Sequence, residues 1–159
     1  MHARLNPFGT DVGPKFAKYI VSASKAVSDS TLPAVTQQLV RIRASQINGC
    51  TGCLDMHTKE AARAGETPVR LNLVAAWRDT AVFTEAERAA LEITEQGTRL
   101  ADSGGVTDEA WANAAKHYDD EQLMALVCLI AVMNAFNRLN VITRQVGGDH
   151  QPGHFEQPA

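Results

Sequence analysis

Three side chains whose types and spacing suit redox chemistry lie in one short stretch, Asn48-Gly49-Cys50-Thr51-Gly52-Cys53-Leu54-Asp55-Met56-His57. With Cys50 as origin and about 100° per residue, a helix puts Cys53 near about 300°, His57 near about 340° and Glu60 near about 280°, while Asp55 falls on the opposite side. Cys53 and His57, four residues apart, then stack on one face and set a base beside a sulfur. A free thiol with a pKa of about 8.5 is a few per cent thiolate at neutral pH, and a fall to about 7 makes it half thiolate. A helix start and an adjacent imidazole can supply that fall. Cysteines one helical turn apart can also reach disulfide distance, so a sulfenic acid on one can be captured by the other. The helix-terminus effect favours Cys50 as the attacking sulfur, and the spacing to His57 favours Cys53. Proton removal by a positioned base is the more local effect, which assigns Cys53 as nucleophile and Cys50 as resolving thiol.

Other chemistries compete for the same residues. Both cysteines could be small buried hydrophobes. Zinc would take Cys50, Cys53 and His57 as three ligands, but a structural site needs a fourth, and the chain has no second CxxC and no HxxxH. Attachment of a c-type haem needs histidine directly after the second cysteine, where Leu54 stands.

The elements that must position these residues read as helices throughout. Phe16, Tyr19, Ile20 and Ala23 give a first apolar stripe, and Val35, Leu39 and Ile42 mark a second helix that starts near Leu32-Pro33 and is interrupted at Asn48-Gly49. The dithiol opens a third, which stops at Gly65, and Thr67-Pro68 begins a fourth. Thr84 and Glu87 have the form of a capping box for a helix reaching the Gly104-Gly105 break, and Thr107 caps a short helix after it. The longest element runs from Asp119 or Asp120 to about Val146 and is apolar on most sides, which suits the centre of a bundle or a subunit interface. No stretch alternates with a period of two. The expectation is an all-α, single-domain bundle of about six to seven helices over residues 1–146, with the dithiol core at about 32–65 and a flexible tail at 147–159 that has nothing to pack.

A chain of 159 residues with a formal charge of −3 lacks the basic footprint of nucleic-acid or anionic-membrane binding. No window approaches a membrane span and none resembles a signal peptide, and three cysteines with two in a CxxC fit a reducing compartment, so a cytoplasmic protein is expected.

The segment 41–61, RIRASQINGCTGCLDMHTKEA, closely resembles the core of the alkylhydroperoxidase D family within the carboxymuconolactone decarboxylase superfamily. AAWR at 75–78 and AVMNAFNRLNV at 131–141 resemble later segments of that family, so the likeness spans most of 32–145. The resemblance implies an all-helical fold assembled as trimers or hexamers. It implies a peroxidase of peroxiredoxin type without a cofactor or metal, whose substrate is a hydroperoxide and whose disulfide is re-reduced by a dithiol protein or a lipoamide-type donor. It also implies that Cys53 is peroxidatic, Cys50 resolving, and His57 part of a proton relay. The superfamily's decarboxylases generally lack the CxxC.

Two positions depart from the family pattern. Twelve residues before Cys50, where the pattern has a glutamate as the outer relay member, this chain has Gln38. An amide takes no proton, so a reduced rate is implied, although it could still orient His57. Glu60 is the candidate substitute, against the reading that it is a solvated helix residue. Gly52 stands where some family peroxidases carry a histidine. Asn134, Asn137 and Asn140 form a polar stripe that could line a substrate pocket near the thiols, but the expectation is that they hydrogen-bond between helices or subunits. Trp77, Trp111 and Phe136 are expected in a core or an interface, Cys128 is expected in the core, and His117, His150 and His154 have no assigned role. Two further functions fit the same dithiol: a non-enzymatic redox sensor or stress-linked binding protein, and a zinc-binding protein.

Overall fold

The structure is a computed structural model that describes residues 2–153. After a 3₁₀ turn at Pro7–Gly9, eight α-helices follow: α1 Val12–Ser28, α2 Ala34–Asn48, α3 Thr51–Arg63, α4 Pro68–Leu73, α5 Glu85–Thr98, α6 Leu100–Ser103, α7 Asp108–Ala114 and α8 Asp120–Thr143. A second 3₁₀ segment, Val74–Asp79, continues α4. No strand occurs among the described residues, so the all-α expectation holds. The helix number is eight rather than six or seven, because the run from Glu85 to Gly104 breaks at Arg99 (φ −98°, ψ 36°) and restarts as α6.

Local chemistry accounts for the boundaries. Thr84 Oγ1 accepts from Glu87 N at 3.2 Å while Glu87 Oε2 accepts from Thr84 N at 2.8 Å, which closes the expected capping box of α5. Asp119 and Gln122 form a second such box at the start of α8. Gly49, at φ 67°, ends α2 in the left-handed conformation that glycine adopts without steric cost, and its amide bonds back to Ser45 and Gln46 carbonyls. That turn lets Cys50 become the extended N-cap of α3 rather than its first helical residue.

The core divides about α2 and α5. On one side Val40, Ala44, Ile93, Leu126, Leu129 and Met133 pack together with Cys50 and Cys53. On the other, Leu39, Ile42, Val74, Trp77, Phe83 and Leu91 form a second cluster. α8 meets α2, α1, α5 and α3 and so sits centrally, as its nearly uniform apolarity required. It corrects one expectation: at 24 residues and mean hydropathy 1.7 it is long and apolar enough to cross a membrane. Here its asparagines serve the bundle. Asn48 Nδ2 donates to Asn134 Oδ1 (3.1 Å) and Asn137 Oδ1 (2.9 Å), and Asn137 Nδ2 donates to Ser45 Oγ (3.1 Å), as interhelical bonding predicted. Cys128, expected in the core, is exposed on α8, because Leu126, Leu129 and Ile130 take the inward positions around it. Trp77 is buried, whereas Trp111 is 43% exposed. The expected stripe of α1 is also largely uncovered, with Phe16 and Tyr19 exposed and only Val27 of that helix buried.

The segment after α8 differs most from expectation. Arg144 caps α8 at φ 56° and ψ 51°, a left-handed conformation that turns the chain back toward α3. Residues 144–153 then lie along α3 as a strap. Thr51 Oγ1 donates to Gln145 O (3.2 Å), and the Gly148 and His150 amides donate to Asp55 Oδ2 at 2.7 and 2.9 Å. Residues 147–153 of the expected tail therefore do pack, since Asp55, on the face of α3 away from the thiols, offers a carboxylate that backbone amides fill. The remainder of that tail, including His154, lies outside the described residues.

Candidate active site

Cys50 and Cys53 are joined as a disulfide, with their Cα atoms 5.4 Å apart, and both are almost fully buried. Each sulfur has a polar partner. Cys53 N donates to Cys50 Sγ (3.3 Å), so the capping position holds sulfur at the positive end of α3. Asn140 Nδ2, from α8, donates to Cys53 Sγ (3.3 Å). A donor at each sulfur favours the thiolate over the thiol once the pair is reduced. Asn140 thus departs from its two neighbours in the polar stripe: it serves the dithiol.

His57 follows Cys53 by one turn of α3, as its spacing required. By surface area it is only half-buried, yet its ring is packed closely enough that burial, ahead of the nearby Arg41 guanidinium and His150, pushes its pKa down to about 3. Glu60 acts in the opposite direction and raises it. At neutral pH the ring is neutral, and for it to hold a proton a nearby negative charge must offset its burial and Arg41.

Arg41 is the unexpected member of this group. It is buried, its Nη2 donates only to Ser28 Oγ (3.0 Å) and Gln37 Oε1 (3.1 Å), and no carboxylate lies within ion-pair distance of it among the described residues. Burial alone holds its pKa below the ordinary arginine value. Three residues earlier on the same helix, Gln38 leaves its buried Oε1 without a hydrogen-bond partner. Gln38 therefore does not orient His57 through that oxygen.

Glu60 is far from the solvated residue it was weighed against. Its Oε1 accepts from His150 Nε2 (2.8 Å) and from Gly153 N (2.8 Å), and its Oε2 accepts from Arg63 Nε (3.2 Å). Burial raises its pKa, but the bonds from His150, Gly153 and Arg63 outweigh this and leave it below the ordinary glutamate value. An ionised carboxylate only accepts, so His150 Nε2 carries the proton of that bond. On the other side of α3, Asp55 has its pKa lowered to about 2, chiefly by Lys59 and then by the His150 amide.

The structure brings Cys50, Cys53, His57 and Glu60 to one region of α3, and no set of three His, Cys, Asp or Glu side chains among the described residues is arranged to hold a metal ion. Sequence reasoning placed Asn140 only as one of a stripe that could lie near the thiols, and passed over His150 as a partner of Glu60 and Arg41 as a neighbour of His57. The polar stripe of α8 signalled Asn140. Nothing local signalled the other two, because their partners come from distant segments.

The carboxymuconolactone decarboxylase family matches residues 14–96. The uncharacterized protein YdfG of Bacillus subtilis (strain 168) is 37% identical over 131 residues, covering 82% of this chain and 88% of its own length. Among solved structures, ATU0492 of Agrobacterium tumefaciens, a protein of unknown function described as a candidate AhpD antioxidant-defence protein, superposes with a TM-score of 0.86 at 32% identity, covering 94% of this chain and 100% of that one. The debrominase Bmp8 shares the fold at a TM-score of 0.76 and 19% identity, over 86% of this chain and 73% of that one. With the buried dithiol on the start of α3 and these relatives across most of its length, the chain belongs to the carboxymuconolactone decarboxylase family, as an AhpD-like member.

Proposed function

We propose that this protein is a thiol-dependent peroxidase, a disulfide oxidoreductase that reduces hydroperoxides through Cys53 and Cys50. The observation that carries the reading is the buried Cys50–Cys53 disulfide with a donor on each sulfur: the Cys53 amide on Cys50 and the Asn140 amide on Cys53. In the reduced protein His57 takes the Cys53 thiol proton. The thiolate attacks the terminal peroxide oxygen, the O–O bond breaks, the alkoxide leaves with the proton from His57, and Cys53 becomes a sulfenic acid. Cys50 then attacks that sulfur, expels water and forms the disulfide, which a dithiol protein or lipoamide-type donor reduces while becoming a disulfide itself. Such cycling suits a reducing, cytoplasmic setting. Assembly into trimers or hexamers would cover the exposed Phe16 and Tyr19 of α1 and Met124 and Ile142 of α8.

The test is consumption of an organic hydroperoxide by the reduced protein with a dithiol. Cys53→Ser abolishes turnover, and pre-reduced Cys50→Ser, with the dithiol removed, consumes about one equivalent and stops at the sulfenic acid. Unchanged turnover in Cys53→Ser would reject the assignment. A second reading, a redox sensor, is favoured by the unpartnered Gln38 Oε1 and the absence of a carboxylate there. It requires the disulfide to form with oxidant while multiple turnover stays negligible and assembly differs between the redox states.

A further inference from the structure

Residues 144–153 occupy the surface of the very helix that carries the dithiol. Lys59 Nζ donates to the carbonyls of Gly148 (2.9 Å) and His150 (3.0 Å), which adds two bonds to those the strap amides make with Asp55 and Glu60. The approach is closest at Gly147, where a Cβ would meet Thr51 O at 2.4 Å and Gly52 N at 3.1 Å. The strap thus crosses backbone to backbone over the first turn of α3, between the two cysteines in sequence. Further along, it places the His150 ring, 13% exposed, on Glu60.

We propose that His150 is a positioning residue of the thiol site: delivered by the C-terminal strap, it holds the Glu60 carboxylate beside His57, in the outer relay place that Gln38 leaves without a proton acceptor. This rests on the dithiol reading above. Glu60 follows His57 by three residues on the same side of α3 and has its carboxylate fixed by three donors, two of them from the strap. A fixed carboxylate favours the imidazolium that forms when His57 takes the thiol proton, and this in turn favours the Cys53 thiolate. The charged and titratable groups around His150 and its partner are Asp55, His57, Lys59, Glu60 and Arg63 on α3, with Arg41 of α2 acting on His57. At the His57 ring Arg41 and, less strongly, His150 itself act against the cation, and Glu60 is the group that acts for it, in part.

The test reads thiol reactivity rather than turnover: the rate of iodoacetamide alkylation at Cys53 in the reduced full-length protein, followed against pH. His150→Ala raises the midpoint by about one pH unit, the size expected when a nearby carboxylate no longer favours the cation. His150→Gln, whose amide can donate to Glu60, restores most of the shift. Glu60→Gln reproduces it with the strap's bonds to Asp55 intact, and His150→Ala adds nothing in the Glu60→Gln background, because both act through one group. Wild-type profiles in His150→Ala and Glu60→Gln, with only the melting temperature lowered, would overturn the proposal and leave His150 a structural clamp. A midpoint that moves as stated in a protein without peroxide turnover would retain the positioning role and remove the peroxidase reading, so the two fail separately.

Discussion

Arg41 and Arg43 stand two residues apart on α2, both largely removed from water, and their surroundings are opposite. Arg43 donates to Glu95 through Nε (2.7 Å) and Nη2, and the same carboxylate accepts from Trp77 Nε1 (3.0 Å) and Arg78 Nη1 (2.6 Å). Arg78 further pairs with Glu92 and stacks on Trp77, 4.2 Å from the ring centroid. Arg41 has a hydroxyl and an amide oxygen and no carboxylate. A buried charge with full compensation reads as architecture, and one without it sets a local potential. The first region ties α2, α5 and the Val74–Asp79 segment together. The second places a positive charge near His57, which Glu60 opposes only in part.

The largest effect should come from the compensated side. Glu95→Ala leaves Arg43, Arg78 and the Trp77 indole without their shared acceptor and should lower folding stability by about 2–3 kcal/mol, measured by urea denaturation, as expected when hydrogen bonds to a charged group are lost in a part-buried cluster. A loss below about 1 kcal/mol would show that the cluster is solvated and that the contrast with Arg41 is false.

Next in size is the uncompensated side. Gln38→Glu puts a carboxylate three residues before Arg41 on the same helix and should raise peroxide turnover on the order of tenfold or more if a relay acid is what the site lacks. No gain, in a variant that folds, would mean that Glu60 already fills that place. The same variant should alter the acid limb of stability. His57 has a folded pKa of about 3 against an ordinary 6.5, so between these values the unfolded chain binds the extra proton. Its contribution is therefore intact above about pH 6.5 and is lost progressively as the pH falls toward about 3. A carboxylate near Arg41 raises the folded pKa and flattens that slope. The smallest effect belongs to Lys25–Asp29, an exposed pair on and just beyond α1 with side chains 74% and 61% accessible. Lys25→Ala should change stability by no more than about 0.5 kcal/mol.

Short-range chemistry was the legible part of this molecule. Caps at Thr67, Thr84, Thr107 and Asp119 and the break at Gly49 depend on neighbours within one turn, and each is where its residue types put it. Asp55 and Glu60 carried no such signal. A carboxylate on a helix is ordinarily solvated, and the amides that fill these two come from Gly148, His150 and Gly153, more than ninety residues later in sequence. Cys128 failed for a related reason: on a helix apolar nearly all round, periodicity does not say which apolar residue faces inward. Asn140 was visible as one of a polar stripe, but its partner is a sulfur on another helix, and only the packing of α3 against α8 selects it over Asn134 and Asn137.

Arg4 and Leu5 are held against the chain where the strap begins. Arg4 N donates to Thr143 O at 2.8 Å, and Gln145 Nε2 reaches Leu5 O at 2.8 Å, just beside the left-handed turn at Arg144. Residues added before Arg4 therefore work against the anchor from which the strap departs. An insertion between α6 and α7, at Gly104, an exposed residue in the left-handed conformation and outside every bond that holds the strap, leaves that anchor untouched.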